Sequence, residues 1–413
     1  MGMNMKQTDF DTYLLPTYKR QAVSFERGDN ATLWDSEGKV YIDFAAGVAV
    51  CSVGHGNCRL ARAISDQAAK IIHVSNLYYI EPQAACARRI VSLSGYDMKC
   101  FFGNSGTEAN EGAIKIARKY GERDGSIKRY KIITLENSFH GRTITALKAT
   151  GQASKHDYFG PYPDGFVYAA NIEEIESLID EHTVAVMIEL VQGEGGVQPL
   201  NLVAVQRLAL SLKSKDILLI VDEVQTGVYR CGSFLASHVY GITPDVITLA
   251  KGLGGGVPIG VVMSGIKDIF SHGDHGSTFG GNYLSSAAAN EVLDILEMYS
   301  QSGELIDHQN YFEASLECFA LEYPGIFTER VGIGMMQGLR VIDGDTLSQI
   351  VDTAVETGVL VIKSGKNTLR FVPPLTINKS EIDEGFRRLN LVMLQFTEYY
   401  RMESQCLSSH LPT

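Results

Sequence analysis

No stretch of this 413-residue sequence is basic: Lys and Arg number 36 against 48 Asp and Glu, a net charge of −12, and the cations form neither a run nor a stripe. Nucleic acid and anionic membrane surfaces are therefore not expected partners. No apolar run approaches the roughly 20 residues that span a bilayer, and MGMNMKQTDFDTYLL at the start lacks the apolar core of a secretory signal. Cysteine is sparse and shows no pairing pattern. The seven, at 51, 58, 86, 100, 231, 318 and 406, include no CxxC, and an odd number cannot all pair within one chain. Free thiols in a reduced compartment are implied, and the expectation is a cytoplasmic protein. Repeats and low-complexity segments are lacking as well.

Two glycine signatures are missing too. The P-loop needs its lysine after the glycines and a Ser or Thr after the lysine; here Lys251 precedes its glycines and Gly252 follows it. The dinucleotide pattern GxGxxG fails at both candidate places, where Gly252-x-Gly254 meets Val257 and Gly193-x-Gly195 meets Gln198. A nucleotide-binding or dehydrogenase-like reading is therefore a weak alternative.

What the chain does have is an ordinary globular balance, 45% hydrophobic and 20% charged, with length for two or three domains. Its first part reads as short strands, with a hairpin about Glu37-Gly38 in ATLWDSEGKVYIDF. Apolar runs then alternate with helical stretches: KCFFGN (99–104), YKIITLEN (130–137), VAVMIEL (184–190), DILLIVDEV (216–224) and DVITLA (245–250). Unbroken apolar runs between helices are the mark of parallel strands covered on both faces, so the middle of the chain predicts a doubly wound α/β domain. After about residue 290 the texture changes to two helices, several strands and a last helix with Ser380 as its expected cap. The predicted division is an N-terminal segment 1–55 belonging to a small domain, a large domain 56–290 and a small α+β domain 291–413. The tail SQCLSSHLPT is expected to fray.

In a doubly wound sheet the ligand lies beyond the carboxyl ends of the strands. Those ends carry SGTEAN, SFHGRT, the QGEGG turn, DEVQTG and LAKGLGGG. Each alone has an ordinary explanation: Ser105 or Thr107 as a helix cap, Arg142 in a surface ion pair, Glu194 in a glycine turn. Taken together they gather Ser105, Thr107, Phe139, His140, Arg142, Glu189, Glu194, Asp222, Gln225 and Lys251 along one sheet edge. A helix start can hold a phosphate, and Phe139 can stack on a planar ring. Asp222 follows ILLIV and needs a strong partner, either a metal or a protonated ring nitrogen. The histidines supply no second ligand cluster, and HGDH at 272–275 reads as loop, so no metal is expected. An apolar strand end favours the neutral, nucleophilic form of Lys251. Pyridoxal phosphate asks for these four things together: a lysine, an anion site, an acid for the ring nitrogen and a stacking face. A purified protein still colourless after added pyridoxal phosphate would revive the nucleotide-binding or dehydrogenase-like alternative.

The motifs NSGTEAN, SFHGRT, QGEGG, DEVQTG, TLAKGLGGG and GDHGSTFGGN resemble, in order and spacing across nearly the whole chain, those of the class III aminotransferases, pyridoxal-phosphate enzymes of fold type I. The resemblance implies a large, mostly parallel doubly wound domain plus a smaller α+β domain. It implies Lys251 as the point of covalent attachment and proton carrier, Ser105, Gly106 and Thr107 at the phosphate, and Phe139 and His140 at the ring. Asp222 would face the ring nitrogen beside Val224, and Gln225 the ring hydroxyl. Thr278 would reach the phosphate of a second copy's site, making an obligate homodimer with shared sites, and Ser277 would lie near substrate. Arg142 and Arg370 would take substrate carboxylates, and Glu194 would neutralise Arg370 while the amino donor reacts. HVSNLYY (73–79), FFGNSGTEAN and TLRFVPPLTI (368–377) narrow the likeness to members that move the δ-amine of N2-acetylornithine to 2-oxoglutarate, giving glutamate, in arginine biosynthesis. Other donors of the family are 4-aminobutyrate, ornithine and succinyl-diaminopimelate. Enzymes acting on ornithine tend to carry tyrosine where this chain has Val48, which favours an acylated α-amine.

Overall fold

The computed structural model describes residues 9–10, 12–123, 125 and 128–408, so part of the N-terminal stretch and the end of the tail lie outside it. Its centre is a seven-stranded sheet in the order Lys99–Gly103, Gly260–Ser264, Val246–Leu249, Leu218–Asp222, Thr183–Ile188, Lys131–Leu135 and Phe166–Ala169. Every neighbouring pair from Val246–Leu249 to Phe166–Ala169 is parallel. Thr183–Ile188 and Leu218–Asp222 are buried at every position, as strands covered on both faces must be. A fully buried aliphatic side chain contributes about 1.5–3 kcal/mol, so this run of Val, Ile and Leu anchors the edge from which the site projects.

One strand runs the other way. Gly260–Ser264 is antiparallel to both Val246–Leu249 and Lys99–Gly103. Sequence reading missed it, and missed Phe166–Ala169 as well. The run IGVVMSG looks like any other buried strand, and its direction depends only on the tight turn after Lys251. That turn needs its glycines: a Cβ on Gly254 would stand 2.0 Å from the Val257 carbonyl oxygen, and Gly255 and Gly256 have φ of 57° and 117°.

Three smaller sheets lie apart from the centre, the least of them the antiparallel pair Val191–Gln192 and Gln198–Pro199. Phe327–Ile333, Met336–Val341, Thr368–Phe371 and Ile362–Ser364 form an antiparallel sheet. The N-terminal strands Phe25–Asp29, Thr32–Asp35 and Val40–Asp43 end against Val359–Leu360. Phe44 packs its ring against Phe312 and Phe386, with centroids 5.3 and 5.4 Å away. The N-terminal strands thus pair with and pack on residues beyond 291. Helix Tyr283–Ser302 passes unbroken through the position expected for the second domain boundary. Helix Lys379–Ser408 starts one residue ahead of Ser380, and its cap is Asn378, whose Oδ1 accepts the Glu381 N–H at 3.0 Å. The expected fray of the tail is replaced by helix as far as Ser408; residues 409–413 lie outside the described part.

Between the hairpin and the first long helix the backbone does something no sequence pattern announced. Ala46, Gly47, Val48 and Ala49 all have positive φ, between 46° and 65°. Three of the four are not glycine, and for a β-branched residue such as Val48 this region is costly. The surroundings hold the turn. Asp43 Oδ1 accepts the N–H groups of Ala45 and Ala46, Oδ2 lies 2.7 Å from His55 Nε2, and Ser52 donates to the Gly252 carbonyl at 2.6 Å. Burial alone would lower the His55 pKa, but the bonds to Asp43 and Cys51 push it up to about 10.

Candidate active site

The strand ends converge as the sheet rule requires. A cavity of 370 Å³ is lined by Ser105, Gly106, Thr107, Phe139, His140, Asp222, Val224, Gln225 and Lys251, together with Asn110, Glu189 and others. Helix Gly106–Tyr120 begins at this cavity, with Ser105 as its cap accepting the Glu108 N–H. Its apolar face, including Ala109, Ala113, Ile116 and Ala117, is buried against the sheet, which fixes the helix start beside the strand ends. Gly106 could not be larger, because a Cβ would stand 2.6 Å from Val224 Cγ1.

Asp222 ends its strand only 4% exposed. Its Oδ2 accepts from Asn110 Nδ2 at 2.7 Å and lies 2.8 Å from His140 Nδ1, and its Oδ1 accepts the Val224 N–H at 3.0 Å. Asn110 also donates to the His140 carbonyl at 2.7 Å. Sequence reasoning missed Asn110. The signal was there, since it is a polar residue between Ala109 and Ala113 on a helix face that packs inward. Burial pushes the Glu189 carboxyl up to about 7, and the nearby Asp222 charge adds to this against the pull of His140 and the Phe139 N–H.

Lys251 follows the strand Val246–Leu249 with φ at 42°, in the left-handed region. Burial lowers its pKa, and the charge of Arg370 lowers it further, while Glu194, Asp222 and Glu189 offset part of the effect. A lysine so placed spends more of its time as a free amine, the form that attacks a carbonyl.

Arg370 lies on Thr368–Phe371 of the smaller sheet and reaches toward the central one. Its Nη1 donates to Glu194 Oε1 at 2.8 Å and to Gln225 Oε1 at 3.3 Å. Burial opposes ionisation of Glu194, but Arg370 wins and holds its carboxyl below the usual range. Glu194 lines a second cavity of 450 Å³. Arg142 is exposed, with its guanidinium carbon 5.4 Å from the Phe139 ring centroid. Ser277 Oγ accepts from Asn104 Nδ2 at 3.2 Å, and Thr278 is exposed. Arg142, Ser277 and Thr278 do not line the Lys251 cavity. Three buried polar atoms around the site have no hydrogen-bond partner among the described residues: Asn110 Oδ1, His140 Nε2 and Arg370 Nε. Such atoms mark a place built for something else to fill.

A sheet edge with a desolvated lysine, a buried acid and a helix start defines a cofactor-dependent enzyme of the α/β class, and sequence comparison gives its kind. The profile of aminotransferase class-III matches residues 15–393, and the chain belongs to that family. It is 61% identical to the acetylornithine aminotransferase of Wolinella succinogenes over 91% of this chain and 96% of that one. It is 44% identical to that of Caldanaerobacter subterraneus subsp. tengcongensis over 92% and 97%. Among solved structures, the ornithine aminotransferase of Toxoplasma gondii superposes with a TM-score of 0.90 at 32% identity, covering 96% of each chain. The N-acetylornithine aminotransferase of Stenotrophomonas maltophilia gives 0.79 at 34%, covering 92% and 98%.

Proposed function

We propose that the chain is a pyridoxal-phosphate-dependent enzyme that moves the δ-amino group of N2-acetyl-L-ornithine to 2-oxoglutarate, giving N-acetyl-L-glutamate 5-semialdehyde and L-glutamate. The observation that carries the cofactor is the convergence of Lys251, Asp222 and the start of helix Gly106–Tyr120 on one cavity. The residues fit the group. The amine of Lys251 suits its aldehyde, the N–H groups from Gly106 onward and the Thr107 hydroxyl suit its phosphate, and the Asp222 carboxylate suits its ring nitrogen. Bound there, pyridoxal phosphate supplies an electrophilic carbonyl and a ring that withdraws electrons from the neighbouring carbon.

The chain's own residues do the rest. Lys251 Nζ is the attachment point and, when free, the base that takes the proton from the donor's δ-carbon. Asn110 and His140 hold the Asp222 carboxylate so that it cannot turn away from the ring. Phe139 and Val224 wall the cavity, and Gln225 stands between it and Arg370. Arg142 and Arg370 bind substrate carboxylates. Glu194 neutralises Arg370 while the acylated donor reacts, and releases it for the α-carboxylate of glutamate.

The acetylated donor is favoured by the relatives' activity and by Val48 in place of a tyrosine. The likeness of fold to the Toxoplasma enzyme supports ornithine as the second reading. Steady-state comparison of acetylornithine, ornithine, 4-aminobutyrate and succinyl-diaminopimelate decides: acetylornithine is expected to give the highest kcat/KM, and a lowest rank for it would end the proposal.

Thr278, exposed in the single chain, is proposed to serve the phosphate of a second copy's site, in a homodimer acting in the cytoplasm. Among the described residues no helix is long and apolar enough to cross a membrane, and Cys51, Cys58, Cys86, Cys100, Cys231 and Cys318 are free thiols. Thr278→Val is expected to weaken cofactor binding about tenfold, the worth of one hydrogen bond to a charged group, with the dimer retained. A monomer of full activity in sedimentation would refute the shared site.

A further inference from the structure

Two cations stand near one aromatic ring. The Lys155 ammonium lies 5.6 Å from the Phe139 ring centroid, and the Arg142 guanidinium carbon 5.4 Å from it. Phe139 lines the Lys251 cavity, whereas Ser154 and His156, on either side of Lys155, line the second cavity with Glu194. Lys155 is thus flanked in sequence by two wall residues of the second cavity and has its ammonium near a wall residue of the first, while lining neither itself. Its ammonium has no ion-pair partner among the described residues, because Glu194, the acid that acts on it electrostatically, is bound to Arg370. Arg142 likewise has no carboxylate partner among the described residues. Burial lowers the Lys155 pKa first, and the charge of Arg142 lowers it further. Both cations stand near the Phe139 ring and neither is ion-paired among the described residues; like charges on one patch repel, and the pair is set for a carboxylate that arrives with a ligand.

We propose that Lys155 is a specificity residue which, with Arg142, takes the substrate carboxylate remote from the reacting centre. That group is the α-carboxylate of the acylated amino donor and the distal carboxylate of the dicarboxylate acceptor. Arg142 supplies planar donors and Lys155 a movable point charge, so one pair accommodates two carboxylates at different reach. The inference rests on the substrates proposed above.

The test compares Lys155→Met and Lys155→Arg holoenzymes on N2-acetylornithine and on N-acetylputrescine, which has the same amine and acyl group without the carboxylate. Lys155→Met is expected to raise KM for acetylornithine and for 2-oxoglutarate about tenfold. It should leave kcat within about twofold and leave kcat/KM for N-acetylputrescine unchanged, and Lys155→Arg should restore most of the loss. Unchanged KM values, or equal loss on both donors, would overturn the assignment. If Lys155→Met does not fold, Lys155→Gln replaces it, and the contrast between donors within one variant is independent of the folded fraction. If the wild-type enzyme ignores acetylornithine, it is the functional reading that fails; the KM for 2-oxoglutarate, measured with whichever amine serves, still decides Lys155.

Discussion

Lys251→Ala is expected to abolish the absorbance band of lysine-bound cofactor and to lower the transamination rate by roughly 10⁴-fold, the upper range for losing a positioned base. The argument is geometric. Lys251 is the lysine among the residues lining its cavity, and its pKa is lowered by burial and by Arg370. No other group lining that cavity offers a nucleophilic amine. The fold should persist, since the substitution removes a buried cation and leaves the strand Val246–Leu249 and its partners in place. Circular dichroism checks the fold, and single-turnover kinetics with glutamate check the chemistry. Turnover near the wild-type rate would refute the assignment of the base.

Arg370→Ala should separate the two half-reactions. Arg370 is 3% exposed and bound to Glu194. In the glutamate half-reaction the pair is open and this cation is proposed to meet the α-carboxylate through two charge-assisted hydrogen bonds, each worth about 1.5–3 kcal/mol, so that half-reaction should slow by roughly 10²–10³-fold. In the acetylornithine half-reaction the pair stays closed and the arginine contributes no direct contact, so a loss of about tenfold or less is expected. Stopped-flow traces of each half-reaction measure both. Equal losses would rule out an alternating Glu194–Arg370 pair. The side effect on Lys251 has a definite sign: removing a neighbouring positive charge raises its pKa, so the rate of the variant should recover in part as the pH rises.

How much of this was legible beforehand follows from what periodicity can carry. The buried parallel strands could be read because their apolar runs are bounded by helices, and the residues at their ends could be read because each run stops at a charge or a glycine. Lys251 and Asp222 stood out as charges directly after apolar runs. The direction of Gly260–Ser264 could not be read, because pattern carries burial and not polarity of the chain. Asn110 was hidden among alanines, although its buried position is what lets it hold Asp222. Ser380 misled because a serine near a helix start is a good cap on average, while Asn378 was better placed in fact. The left-handed turn at Ala46–Ala49 contradicts the preferences of its own residues. It exists because Asp43, Ser52 and the loop after Lys251 hold it from outside. Lys155 carried no sequence signal at all: it acquires meaning only when the chain brings it against Phe139.

The antiparallel strand also governs the order in which the molecule can be assembled. Lys99–Gly103 sits at the sheet edge, and its pairing partner is Gly260–Ser264, with Gly103 opposite Gly260. The strand Lys99–Gly103 thus gains its sheet partner only after a ribosome has delivered the chain past Ser264. Contacts so distant in sequence form late, after the entropy of the long loop has been spent. The nascent chain therefore carries the strand that leads into helix Gly106–Tyr120 as an unpaired segment until Gly260–Ser264 arrives, and the sheet edge closes in one late event.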